Sequence, residues 1–439
     1  MSLHRRQFLA AAGPAVLYKL VGAPPPLSAA GANDQIGLGF IGAGIRATQL
    51  MDEFLAIPGV RPIIVCDLYD GCLQRAREQT ENKAETTKDY LNVLGRKDVD
   101  AVVIATPDHW HKRMVLDALA AGKHVYIEKP MTWSIDDGAD MIEAVRKSGR
   151  LLQVGSQGKT SMLTAKAREL IKSGAIGKVN MVRMTNHRND AQGAWVYPIP
   201  PDASEQTIDW SRFHGPAPKR AFDPKIFFRW RCWWEYSGGV ATDLFVHLLT
   251  WLHEALDVAA PVSAVSQGGL WKWKDGRTVP DVMNSLLEYP EGFIADIYVN
   301  MANSYRASST VVMGSDGTLS LERNGLVLYR ETHPPDVQPY GTLSWPKSVR
   351  AAYFESNGFT ADGRPKTPLP ARINTEEVGI ERGPSHYELF ITSMRENKPS
   401  RETAAEGHYA AGAAHLANLA YRKGRRMSWD LKSGKVKEA

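Results

Sequence analysis

Cysteine is scarce. Cys66, Cys72 and Cys232 are the only three in 439 residues, and none stands in a Cys-x-x-Cys. An odd, scattered set of three excludes a disulfide framework and a cysteine metal cluster, and the thiols are expected to be buried or partly buried. A charge bias is also missing. Lys plus Arg number 53 and Asp plus Glu 48, a net charge of +5, and Arg5, Arg6 and Lys19 supply three of those five charges. No dense basic stripe appears, so no nucleic-acid partner is expected. No apolar run is long and unbroken enough to span a bilayer. Repeats and low-complexity tracts are absent. The balance of 43% hydrophobic and 23% charged residues is that of an ordinary globular chain, long enough for two domains with separate cores.

Glycine is placed where it matters. Residues 39–47 read Gly-Phe-Ile-Gly-Ala-Gly-Ile-Arg-Ala, a Gly-x-Gly-x-x-Ala built on Gly42, Gly44 and Ala47. The apolar Ile36, Leu38, Phe40 and Ile41 precede it as a buried strand, and an amphipathic run follows. Gly42 permits the tight turn, Gly44 lets the backbone approach a pyrophosphate, and Ala47 allows the helix to pack on the strand. Ile45 and Arg46 open that helix, whose free N–H groups face the phosphates. A second strand, 60–66, ends at Asp67, roughly 20 residues past the fingerprint, where a carboxylate accepts ribose hydroxyls. No basic residue follows Asp67 directly. The extra phosphate of NADP would meet its carboxylate, so NAD is favoured over NADP.

Strands and helices alternate through residue 157: a helix at 69–80, a strand at 101–105, a helix at 112–121, a strand at 124–127, a helix at 135–148 and a strand at 151–154. That is a doubly wound parallel sheet. Beyond residue 178 the texture changes. Strand-like alternation recurs at 179–186, 262–267, 282–289, 292–301, 309–313 and 318–322, with one long helix at 240–256. The expected fold class is α/β, a Rossmann-type doubly wound parallel sheet plus a second α+β domain with a large open, mostly antiparallel sheet. The domains are 1–32 (leader), 33–157 (dinucleotide) and 158–439 (substrate and oligomerisation). Placement of the C-terminal helices near the first domain is left open. A proline-rich stretch at 332–370 reads as an ordered surface arm.

The first residues, His-Arg-Arg-Gln-Phe-Leu at 4–9, resemble the bacterial twin-arginine export signal, and Ala30-Gly31-Ala32 offers a cleavage site. The resemblance implies passage of a folded protein through the twin-arginine machinery to the periplasm or beyond. A protein that takes up NAD in the cytoplasm needs that route.

Two further motifs are more specific. Glu128-Lys129-Pro130 closes a parallel strand and projects the Lys toward the crevice. Gly-Gly-Val-Ala-Thr-Asp-Leu-Phe-Val-His at 238–247 puts Asp243 and His247 four apart, on one helix face. With Thr-Pro-Asp-His-Trp-His at 106–111, Val-Gly-Ser-Gln at 154–157, Asp209-Trp210 leading to Gly-Pro-Ala-Pro at 215–218, and Leu-Ala-Tyr-Arg at 419–422, the chain resembles the glucose–fructose oxidoreductase / inositol dehydrogenase (Gfo/Idh/MocA) family over about residues 36–430. The resemblance implies a carbohydrate or polyol oxidoreductase with NAD, held tightly or exchanged. Lys129, Asp243 and His247 take the catalytic roles. His247 is the expected proton acceptor. Lys129, its pKa lowered beside oxidised nicotinamide, touches cofactor and substrate. Asp243 holds the imidazole tautomer or accepts a second hydroxyl.

Cofactor contacts extend to Thr106, Pro107, His111, Glu128 and Gln157. Six aromatics fall within 227–236. Trp230, Arg231 and Tyr236 there, with His187 and its neighbours Arg188 and Asn189, are expected at the sugar. No metal is expected, because Asp243 and His247 lack a third ligand. A homodimer or homotetramer is implied. One rival reading is a redox-neutral glycosidase that oxidises, eliminates, hydrates and reduces on one self-recycled NAD. The Gly-Gly-x-x-x-Asp-x-x-x-His signature departs from the one such glycosidases carry. A trapped cofactor shuttling between two sugars is a third pattern. A silent sugar- or nucleotide-binding protein is the non-enzyme alternative, and the presence of Lys129, Asp243 and His247 argues against it.

Overall fold

The computed structural model of the chain describes residues 35–322, 325–332, 337, 339–368, 373–379 and 383–439. The leader expected at 1–32 lies outside the described residues.

The first sheet follows from runs apolar on both faces. β1 (Ile36–Ile41) and β4 (Ala101–Ile104) are buried at every position, as strands covered by helices on both sides must be. With β2 (Val60–Cys66), β3 (Glu85–Thr87), β5 (His124–Glu128) and β6 (Leu152–Gly155) they form a parallel sheet of order β3-β2-β1-β4-β5-β6. The order reverses between β1 and β4. A crevice therefore opens at the carboxyl ends of β1, β4 and β5.

The second sheet has ten strands. They are β7 (Val179–His187), β8 (Ser263–Gly269), β9 (Val282–Tyr289), β10 (Phe293–Asn300), β11 (Ser308–Gly314), β12 (Gly317–Glu322), β13 (Gly325–Glu331), β14 (Ile373–Val378), β15 (Met427–Asp430) and β16 (Lys435–Glu438). Their order is β14-β13-β12-β11-β7-β10-β9-β8-β15-β16. All these pairs are antiparallel except β7 with β10, which run parallel. One face packs on the helices Val246–Leu256 and Ala404–Lys423. The other leaves Val265, Leu286 and Ile294 exposed.

Sequence patterning missed β3, β13, β14, β15 and β16. β14 reads Ile-Asn-Thr-Glu-Glu-Val and β16 Lys-Val-Lys-Glu, so neither alternates apolar with polar. Both are edge strands, where charged residues discourage pairing with other chains. In the proline-rich arm, a helix at Lys347–Ser356 buries Phe354, and Trp345 packs edge-on against Tyr353 at 5.4 Å.

The C-terminal helices return to the first sheet. Helix His386–Glu396 inserts Tyr387, Phe390 and Ile391 into a core shared with Phe54 and Tyr126. Gln153 Nε2 donates to His386 O (2.8 Å), and Val154 N to Glu402 O (3.1 Å).

Candidate functional site

The crevice is framed by backbone that only glycine tolerates. Gly42 sits at φ +91°, and a Cβ there would stand 2.6 Å from Ala105 O. At Gly44 the opposite holds: a Cβ would meet nothing within 4 Å. That open space lies at the start of helix Ile45–Leu55, whose first N–H groups have no side-chain cap. Open room beside uncapped helix N–H groups fits a dinucleotide pyrophosphate. Ile45 is well exposed at the mouth. Asp67 ends β2 beneath the loop; its Oδ2 accepts from Ala43 N (2.7 Å) and its Oδ1 from Tyr69 N (2.9 Å). Burial raises its pKa, against the backbone donors that hold it down. Asp67 therefore shapes the glycine loop.

At the far end, Arg46 Nε donates to Glu128 Oε1 (2.8 Å) and its terminal nitrogen to Tyr387 Oη (3.1 Å). Gln157 Nε2 donates to Gly155 O (2.7 Å) and Tyr126 Oη (3.0 Å), and reaches Glu128 Oε1 at 3.5 Å. Arg46, Glu128 and Gln157 thus form one network linking the first turn after β1 to the ends of β5 and β6.

Lys129 leaves β5 into the centre of the crevice. Its ammonium donates to Asp243 Oδ1 (2.8 Å) and to the Asp243 carbonyl (3.0 Å). Asp243 lies in a π-helical turn, Ala241–Phe245, that precedes helix Val246–Leu256. Such turns recur at functional sites. The same Oδ1 accepts from Arg231 Nε (3.0 Å), and Oδ2 accepts from Trp195 Nε1 (3.1 Å). Burial works against the charged carboxylate, but Lys129 and Arg231 prevail and hold its pKa well below the ordinary range. Asp243 is an anion clamped by two cations. The expectation that it orients the imidazole is not what its hydrogen bonds do. They go to Lys129, Arg231 and Trp195.

His247 lies one turn on, half-buried. Burial and the Lys129 charge push its pKa down to about 3, so the ring is neutral and can accept a proton. The turn that starts this segment needs Gly239, at φ +57°, where a Cβ would stand 2.8 Å from Val279.

Two members of the cluster carry no motif spacing that singles them out. Trp195, in the loop after β7, is fully buried at φ +61°, a conformation rare for a bulky residue. Asp108 is buried beside Lys129, Arg231 and Asp243. Burial pushes its pKa up to about 7, with Arg231 and Lys129 opposing. Its position in Thr-Pro-Asp-His-Trp-His, at the end of β4, is the signal that could have found it.

Several expected ligand contacts sit elsewhere. Tyr236 is fully buried, packed on Phe213 and His109 and 3.3 Å from His214 Nδ1; it is core rather than sugar wall. His111 is buried too. Its Nδ1 pairs with Pro130 O (2.7 Å) and its Nε2 with Thr106 O (3.0 Å), so it ties the Lys129 loop to the end of β4 instead of reaching a ligand. Thr106 and Pro107 line that strand end. Trp230 is half-buried, with Arg231 stacked over it at 4.2 Å, and both remain beside the cluster. His187 is half-buried against Tyr298, 4.7 Å between rings. Among the described residues no group of three His, Cys, Asp or Glu could hold a metal ion, and no helix is long and apolar enough to cross a membrane.

Comparison with known proteins agrees with this architecture. Residues 36–156 match the profile described as "Oxidoreductase family, NAD-binding Rossmann fold", and residues 164–320 that described as "GFO/IDH/MocA C-terminal domain". A "Glycosyl hydrolase family 109 protein" of Shewanella baltica is 27% identical over 207 residues, 40% of this chain and 44% of that protein. The chain thus aligns with less than half the length of that curated relative. Two solved structures share the fold. Levoglucosan dehydrogenase, in complex with NADH and levoglucosan, superposes with a TM-score of 0.63 at 16% identity, covering 89% of this chain and 98% of that one. The WlbA dehydrogenase of Bordetella pertussis, in complex with NADH and UDP-GlcNAcA, does so with a TM-score of 0.63 at 19% identity, covering 90% and 99%. A six-stranded parallel sheet of Rossmann order, a second mostly antiparallel sheet, and the match of both halves to one family's two domains place this chain in the Gfo/Idh/MocA family of oxidoreductases.

Proposed function

We propose that the protein is an exported, NAD-dependent oxidoreductase that moves a hydride between a carbohydrate or polyol hydroxyl carbon and nicotinamide. One observation carries this reading. A Lys129–Asp243 pair and a neutral His247 meet at the carboxyl end of β5, across from the open space at Gly44. NAD would be held by Gly42, Gly44, Ile45 and Arg46 at the pyrophosphate, by Asp67 at the ribose, and by Thr106, Pro107, Lys129 and Gln157 toward the nicotinamide. When bound it supplies the hydride acceptor.

The chain's own residues manage the proton. An ammonium has three N–H donors. Lys129 gives two to Asp243, leaving the third for the substrate oxygen. That oxygen becomes negative as its C–H bond loses hydride, and a fixed cation there stabilises it. His247 takes the hydroxyl proton. Asp243 keeps Lys129 aimed. Trp230, half-buried, offers apolar surface to sugar C–H groups. Asp67 favours NAD over NADP. Export rests on the twin-arginine-like leader, and a periplasmic or secreted destination follows from it. The exposed sheet face at Val265, Leu286 and Ile294 suits a homodimer or homotetramer.

The alternative is a glycosidase that recycles its own NAD, favoured by the Shewanella relative's name. One experiment separates them. The purified protein is given free sugars, polyols and aryl glycosides with and without added NAD, then denatured to assay released NAD(H). Oxidation that requires NAD and yields stoichiometric NADH is expected. Aglycone release without added cofactor, with NAD(H) in the denatured supernatant, would establish the glycosidase instead.

A further inference from the structure

The sugar side of the crevice holds more positive charge than its carboxylates balance. Lys129 and Arg231 share Asp243. Arg188, the first residue after β7, has no such partner. Its backbone N–H donates to Asn300 O (2.9 Å), which fixes its base to the end of β10, and its Nε donates to Asn186 Oδ1 (3.3 Å). Among the described residues its two terminal amino groups make no hydrogen bond, and no carboxylate lies within ion-pair distance. The side chain is half-buried. Arg188 opens the loop whose Trp195 indole donates to Asp243 Oδ2 (3.1 Å), which sets it on the Asp243 side of the crevice, and its charge is felt at both Asp243 and His247. Two other acids are at hand: Asp190, exposed, whose Oδ1 accepts from Gly193 N (2.7 Å), and Asp108, buried, which burial pushes toward its neutral form. Lys129, Arg231 and Arg188 thus share one carboxylate, Asp243, in direct contact with two of them. Oxidised nicotinamide deepens the surplus.

We infer that the sugar bound here carries a carboxylate, and that Arg188 is the residue that holds it. The inference rests on the sugar reading above and names the class of sugar. A guanidinium presents a planar fork of N–H donors that matches the two oxygens of a carboxylate. Arg188 offers its two terminal amino groups, and its one side-chain partner, Asn186, carries no charge. Arg231 is already paired with the Asp243 carboxylate. A neutral sugar would leave the Arg188 charge partly desolvated and unpaired, which is costly. A uronate removes that cost and brings the local charge close to balance.

The test is a binding comparison on the full protein saturated with NADH, read by calorimetry. The ligands are glucuronate with glucose, galacturonate with galactose, mannuronate with mannose, and glucose 6-sulfate. At least one uronate is expected to bind roughly 10- to 100-fold tighter than its parent hexose, the range of a charge-assisted pair. Arg188→Gln should compress that ratio to within about threefold, and Arg188→Lys, which keeps charge but not the fork, should fall between. NADH affinity reports that each variant is folded. Equal binding of every uronate and its hexose overturns the inference, as does a ratio that survives Arg188→Gln or a gain seen with the sulfate ester alone. Neutral hexoses oxidised as fast as uronates would overturn it too, and would leave the dehydrogenase reading standing. If no sugar of either kind binds, the sugar reading fails and takes this inference with it.

Discussion

Two half-buried lysines pair with carboxylates in this molecule, and they do opposite things. Lys129 Nζ lies 2.8 Å from Asp243 Oδ1, and Lys159 Nζ lies 2.9 Å from Glu406 and 2.5 Å from Glu254. Their side chains are almost equally shielded, 11% and 9% exposed. Yet Lys159 is surrounded by structure. Glu254 belongs to helix Val246–Leu256 and Glu406 to helix Ala404–Lys423, and Arg168 closes the ring on Glu254 at 2.5 Å. Its bonds staple the helices together. Lys129 faces the crevice, with a donor left over, a neutral His247 beside it and an excess of cations around it. A half-buried Lys–carboxylate pair is therefore no mark of chemistry by itself. The crevice that Lys129 faces and the neutral histidine beside it are what distinguish the two.

Exchanging the two lysines in turn for methionine is the sharpest way to break that comparison. Lys129→Met should lower turnover about 10³-fold or more, the scale of a lost positioned charge plus hydrogen bond. Thermal stability should change little, since Arg231 and Trp195 still hold Asp243. Turnover near the wild-type rate would show that Lys129 is another staple. Lys159→Met should do the reverse. Leaving Glu254 and Glu406 without their shared cation costs about 2 kcal/mol, below the range for fully buried pairs because Glu406 is partly solvated. Denaturant titration should show the loss, and turnover of the folded fraction should stay constant.

The same contrast explains what the sequence reveals and what it hides. The cofactor half is made of local signals. Gly42, Gly44 and Asp67 lie close in sequence, and β1, β2, β4, β5 and β6 announce themselves as apolar runs. Lys129 and the Asp243–His247 pair are legible because each rides on a short motif. The substrate half is assembled across long separations. Trp195 reaches Asp243 from 48 residues away and Lys129 from 114. Nothing around Trp195 in the sequence marks a bulky residue at positive φ. The partners of Asp243 were misjudged for a related reason: helical spacing puts His247 on its face, but the cations that capture the carboxylate come from other elements. Tyr236 failed as a sugar contact because aromatic density looks the same whether rings fill a core or line a cleft.

Asp67→Ala probes the legible half. The variant should lose about 10- to 100-fold of its preference for NAD over NADP, as the ribose acceptor and the charge that repels a phosphate vanish together. NAD affinity should also fall, because Ala43 N loses its acceptor and the glycine loop loosens. Unchanged discrimination, measured as the ratio of kcat/KM values, would reduce Asp67 to a loop anchor, a staple like Lys159.

Asp108→Asn gives the smallest effect and tests the illegible half. With a pKa of about 7 in the fold, Asp108 is protonated below neutrality and becomes a second anion beside Lys129 and Arg231 above it. That anion opposes the negative charge growing on the substrate oxygen, so kcat/KM should fall by about threefold as pH rises through 7, which corresponds to about 0.6 kcal/mol from one neighbouring charge in a polar cluster. The Asn variant should show no such inflection. His247 adds none in this range, since its pKa lies near 3. The sign for stability is fixed by the same shift. A carboxyl whose pKa is raised from about 3.9 in the unfolded chain contributes stability below that value, and loses it as pH climbs through the folded value. Wild-type stability should therefore decline between about pH 4 and 7, and Asp108→Asn should flatten part of that slope. Glu402, buried and raised to about 8, keeps the remainder and extends it upward. An inflection near pH 7 that survives Asp108→Asn would assign it to another group.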